Sequence, residues 1–138
     1  MKNEKIDLYI MLIETIIESM IVGFYVLLLY KFLILFQIKN IYLFLFILGF
    51  LKHFIGYVLS IQSFYCKYGH ACKKYNFTYK KKDFIILESF LEGLLFIVCG
   101  QVFLVFYKKI PFFLLGFLLH LLFEFIGFHD LFCLKRCF

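Results

Sequence analysis

Four apolar runs, each long enough to cross a bilayer, take up most of this 138-residue chain. They extend over Leu8 to Leu33, Ile41 to Ile61, Phe84 to Tyr107 and Pro111 to Phe132. A bilayer core requires about 20 mainly apolar residues per helix, and hydrocarbon offers the backbone no hydrogen-bond partners, so such runs must close their own bonds as helices. The expected fold class is therefore all-α, a four-helix transmembrane bundle. With 64% hydrophobic residues and a mean hydropathy of +0.95, the composition excludes a soluble globular chain. The first run lacks the small-residue cleavage pattern of a signal peptide and is expected to stay as a signal-anchor helix.

The bundle is written twice. LGFLKHFIGYVLSIQSFYC, Leu48 to Cys66, aligns without a gap on LGFLLHLLFEFIGFHDLFC, Leu115 to Cys133. Upstream of each copy lies a fainter pair, Glu18-Ser19 with Gly23 and Glu88-Ser89 with Gly93. Self-similarity of this kind governs the fold reading. It divides one membrane domain, 1–138, into repeat one at 8–66, a basic loop at 67–83, repeat two at 84–133 and a tail at 134–138. Each repeat holds an even number of helices, so the copies should share one orientation about a pseudo-twofold axis along the membrane normal. Close helix contacts are expected at Gly23, Gly49, Gly93 and Gly116, where small residues let backbones approach.

This arrangement puts the N-terminus, the long loop and the C-terminus on one face. That face carries Lys2, Lys5, Lys67, Lys73, Lys74, Lys80, Lys81, Lys82, Lys135 and Arg136, against chiefly Lys39, Lys108 and Lys109 on the other. The positive-inside rule makes it cytoplasmic. The sequon Asn76-Phe77-Thr78 on the same face argues for a lumen instead, but a three-residue sequon often arises by chance, and the lysine distribution outweighs it. Expected partners are the lipid bilayer, anionic headgroups at Lys80 to Lys82 and, as a candidate, a second copy of the chain. The net charge of +6 sits in no basic, aromatic-interleaved soluble module, so nucleic acid is not among them.

Cys66, Cys72, Cys133 and Cys137 fall just beyond the second and fourth runs, on that same face. Disulfides and a four-thiolate zinc site both fit; the loose C-x5-C and C-x3-C spacings favour disulfides over zinc knuckles. Short loops close at little entropic cost, which favours local pairs, Cys66–Cys72 and Cys133–Cys137, the second through a turn at Lys135-Arg136. Bonds between the repeats are the alternative. Cys99 lies inside the third run and reads as core.

Ionisable residues within the membrane mark functional hypotheses. Glu14 and Glu18, Glu88 and Glu92, and His120 and Glu124 are each four apart, so each pair shares a helix face; His53 joins them. Counted inward from the common face, Glu14, Glu92 and Glu124 form a shallower layer, Glu18, His53 and His120 a deeper one, with Glu88 nearest the surface. The cluster can neutralise itself through Glu–His hydrogen bonds that fix helix register. It can also hold zinc or another divalent metal, or relay protons, or ligate a haem through His53 and His120. The first reading is preferred, with no cofactor. No nucleophile with its base and no phosphate loop is present, which favours a structural or assembly component over an enzyme, intramembrane metalloenzyme or ion conductor.

Glu-Ser-x-x-x-Gly (Glu18 to Gly23), Lys-His-Phe-x-Gly-Tyr (Lys52 to Tyr57) with Tyr65-Cys66 and Cys72, and Leu-His-x-x-x-Glu with Phe132-Cys133 and Cys137 together resemble the small four-helix membrane proteins of large nucleocytoplasmic DNA viruses. That resemblance implies residence in a viral or host membrane and supplies no activity. It also implies disulfides on the cytosolic side of the membrane, which would reconcile cysteine pairs with a positive-inside face.

Overall fold

The computed structural model describes residues 2–69, 72 and 85–137. Among them are six α-helices and no strand: α1 (Lys2–Leu33), α2 (Ile41–Val58), α3 (Ile61–Tyr68), α4 (Ile85–Tyr107), α5 (Phe112–Phe125) and α6 (Phe128–Arg136). Three of these, α1, α2 and α4, are long and apolar enough to cross a membrane, and the bent pair α5 and α6 makes a fourth if counted as one span. At 1.5 Å per residue the 32 residues of α1 extend about 48 Å, well past a hydrocarbon core of about 30 Å.

Local signals set the turns. A short 3₁₀ segment, Ile34–Phe36, follows α1, and Gln37 then takes a left-handed conformation (φ 51°) that reverses the chain. Asn40 caps α2: its side-chain oxygen accepts from the backbone N–H groups of Tyr42 (2.9 Å) and Leu43 (3.1 Å), satisfying donors that the helix itself cannot. At the turn between α4 and α5, Lys108 is left-handed (φ 56°) and Pro111 precedes the first turn of α5, where its missing N–H costs nothing.

The second and fourth apolar runs depart from expectation. Neither is a single helix to its end. Ser60 (φ 58°) separates α2 from α3, and Gly127 (φ 80°) separates α5 from α6, with a bend of 69° at the second break. Ile61 therefore opens α3 instead of closing the second span, and Phe132 lies in α6, beyond the bend. A left-handed residue cannot continue a right-handed helix, and the polar end segments can turn away from the spans behind it.

Packing is between antiparallel pairs. α1 runs against α5, with Tyr30 stacked on Phe112 (4.0 Å between centroids) at one end and Glu18 facing His120 towards the other. α2 runs against α4, where Phe46 meets Phe90 and His53 meets Glu88. The backbones come close at glycine: a Cβ on Gly49 would sit 2.7 Å from the Glu92 carbonyl oxygen, and one on Gly93 would sit 2.8 Å from that of Phe46. On the other pair, a Cβ on Gly23 would meet Phe113 at 2.8 Å and one on Gly116 would meet Val26 at 2.7 Å. Val26, Leu29, Leu45, Leu48, Phe96 and Leu115 fill the centre. Ile10, Ile13, Ile17, Leu87, Val98 and Val102 point outward and are exposed, as suits helices bathed in hydrocarbon.

Four cysteines form a separate buried cluster with Tyr65 and Phe132. The bonds are Cys66–Cys137 and Cys72–Cys133, so the expected local pairs, Cys66–Cys72 and Cys133–Cys137, are not formed. The reason is helical. α6 continues through Arg136, and the Cys137 N–H donates to the Cys133 carbonyl (3.1 Å), so the turn at Lys135-Arg136 that a local bond needs is absent. The free thiol of Cys99 is half-buried against the core. Lys73, Lys74, Asn76 to Thr78 and Lys80 to Lys82 lie outside the described residues.

Candidate functional site

The polar side chains gather into two groups. The first is centred on His53 of α2. His53 Nδ1 lies 2.8 Å from Glu92 Oε2 and Nε2 lies 3.3 Å from Glu88 Oε2. The Lys52 ammonium donates to the other oxygen of Glu92, and the Gln62 amide reaches His53 Nε2 at 3.1 Å. Tyr25 of α1 donates to the Lys52 carbonyl (3.1 Å). Glu88 and Glu92 are one helical turn apart, so α4 presents both to the same imidazole. Within the group the Lys52 ammonium compensates the Glu92 carboxylate directly. Such compensation is what a charge group largely withdrawn from water requires.

The second group straddles the bend between α5 and α6. His129 Nδ1 lies 2.5 Å from Glu124 Oε2, the His120 and His129 ring centroids are 4.3 Å apart, and His120 Nε2 is 3.6 Å from Glu18 Oε2 of α1. Tyr65, next to Cys66, sets its ring against both histidines (6.4 Å to His120, 5.5 Å to His129) and against Phe132. The disulfide block thereby covers this group. Ligand atoms of His120, Glu124 and His129 all lie within 4.8 Å of one another, so these residues can hold a metal ion.

Most of the expected residues group by helix pair. Glu88 and Glu92 share one histidine, His53. Glu18 and Glu124 join His120 instead. Glu14 lines a shallow recess with Ile17, Glu18 and Tyr68. Four participants were not assigned to the cluster from the sequence: Tyr25, Lys52, Gln62 and His129. A signal existed for two of them, since Gln62 and His129 occupy the same position of the gapless alignment. Both ring nitrogens of His53 are engaged by carboxylates, which favours the imidazole–carboxylate network over a haem ligated by His53 and His120.

The chain matches no described protein family, no curated protein and no solved structure.

Proposed function

We propose that this chain is a multi-pass integral membrane protein with a structural or assembly role. In this reading two tandem two-helix units, related by a pseudo-twofold axis along the membrane normal, grip one another through buried polar pairs and disulfides. The observation that carries it is a reciprocal exchange. His53 of the first unit faces Glu88 of the second, and His120 of the second faces Glu18 of the first; these four positions correspond in the repeat. The cysteines follow suit, Cys66 joining the tail of the second unit and Cys133 joining the residue that follows the first. Left-handed breaks at Ser60 and Gly127 fall at matching positions as well.

A domain whose polar groups compensate each other and whose covalent bonds join its halves is suited to holding a shape. The N-terminus, long loop and C-terminus then lie on one, cytoplasmic face, as the lysine distribution favours, and the viral resemblance favours a viral or host membrane. Reporter fusions at the two ends test this. Both reporters on the cytoplasmic side are expected, and reporters on opposite sides would overturn the paired-unit reading. The competing class, an intramembrane metal-dependent enzyme or ion conductor, is favoured by one observation, the convergence of His120, Glu124 and His129.

A further inference from the structure

We propose that His120, Glu124 and His129 bind one divalent transition-metal ion of the zinc type where α5 turns into α6. The donors are two imidazoles and a carboxylate, within 4.8 Å of one another and with side chains only 9% (His120), 15% (Glu124) and 14% (His129) exposed. Two nitrogens and an oxygen suit zinc and its neighbours, whereas calcium and magnesium take oxygen donors. Zinc bonds of about 2.0–2.2 Å in a tetrahedron place donors about 3.3 Å apart. Rotamer adjustment of His120 and Glu124 on one helix, and of His129 beyond a glycine bend, supplies the contraction. The ion replaces the proton shared by Glu124 and His129, which passes to solvent.

A second, independent observation comes from His120. Its Nε2 is buried and has no hydrogen-bond partner among the described residues, yet it points at Glu18 Oε2, 3.6 Å away. If the ion takes the other ring nitrogen, a slight closure lets Nε2–H donate to Glu18. That carboxylate–histidine–metal order fixes the tautomer and orientation of ligating histidines.

Comparison of the two halves points the same way. Aligned without a gap, Glu124 stands at the position of Tyr57, His129 at that of Gln62 and Leu119 at that of Lys52. The first half builds a cation into its own sequence, the Lys52 ammonium on Glu92. At the corresponding positions the second half has a leucine instead of that lysine, and two added metal donors. This comparison rests on the paired-unit reading; the donor geometry does not, so failure of the topology test leaves the metal site to be judged on its own measurements.

The test uses the full chain in detergent with its disulfides intact, carrying Cys99→Ser, stripped with a chelator and titrated with zinc. One zinc per chain is expected, with an X-ray absorption shell of nitrogen and oxygen only. His129→Gln and Glu124→Tyr, which write the first half's residues into the second, should each weaken binding by at least about tenfold, while His53→Asn leaves it unchanged. Sub-stoichiometric zinc, sulfur in the shell, or loss on His53→Asn but not on His129→Gln would overturn the proposal. The shell is read on protein with all its histidines and glutamates in place, so a variant that fails to fold does not shield the proposal.

Discussion

Glu92 Oε2 lies 2.8 Å from His53 Nδ1, and the other oxygen of the same carboxylate holds the Lys52 ammonium. One acid on α4 thus ties together two adjacent residues of α2. Removing a single member of such a network strands a charge away from water, whereas removing an opposed pair together does not. Glu92→Leu alone is expected to destabilise the protein by about 3–5 kcal/mol, and Lys52→Met with Glu92→Leu by distinctly less. Thermal unfolding in detergent, read as a double-mutant cycle, checks this; additive losses would show that the two groups are not coupled.

Gly49 and Gly56 lie two helical turns apart on the same face of α2, yet their surroundings differ. A Cβ at Gly49 would press on the Glu92 carbonyl oxygen at 2.7 Å, while one at Gly56 would meet nothing within 4 Å. Gly49→Ala must push α2 from α4 and should cost about 1–3 kcal/mol, as overpacking does. Gly56→Ala should be neutral or stabilising by up to about 1 kcal/mol through helix propensity. Unfolding midpoints of the two variants in one detergent give the comparison, and equal losses would contradict the close crossing at Gly49.

At the two helix breaks, substitution should act in opposite directions. Ser60 holds a left-handed conformation that glycine adopts without steric cost, so Ser60→Gly is expected to preserve or slightly raise stability. Gly127 at φ 80° already uses that freedom, and Gly127→Val should cost about 1–2 kcal/mol or straighten the bend. Distances from spin labels placed on α5 and α6 would register the change in bend directly.

Mass spectrometry of unreduced, thiol-blocked protein should find Cys66 linked to Cys137 and Cys72 to Cys133, with Cys99 alkylated. Replacing either bonded pair by serine should cost about 2–4 kcal/mol. Peptides joining Cys66 to Cys72 would contradict the arrangement.

The helices themselves were legible because hydropathy over about 20 residues leaves the backbone one option in lipid. Their breaks were not. Ser60 stands between apolar neighbours, Leu59 and Ile61, and Gly127 between Ile126 and Phe128; a single positive φ leaves no trace in an average over a window. The cost was specific: with the second span drawn to Ile61 and the fourth to Phe132, the separate helices α3 and α6 go unrecognised, and Gln62 and His129 are passed over. Sequence spacing did identify Glu88 and Glu92 as sharing a face. It misjudged the cysteines, because nearness along the chain outweighed a helix that holds Cys133 and Cys137 in fixed register.

The bonds Cys66–Cys137 and Cys72–Cys133 span 71 and 61 residues and are nested, one inside the other. Neither can close before its second cysteine is made: at about 5–20 residues per second, Cys66 waits roughly 4–14 s for its partner to be synthesised. Oxidation therefore follows synthesis of α4 and α5. A chain stalled after α4 would carry two unmatched thiols at the membrane surface, a chemical mark of incomplete biogenesis that the finished molecule has erased.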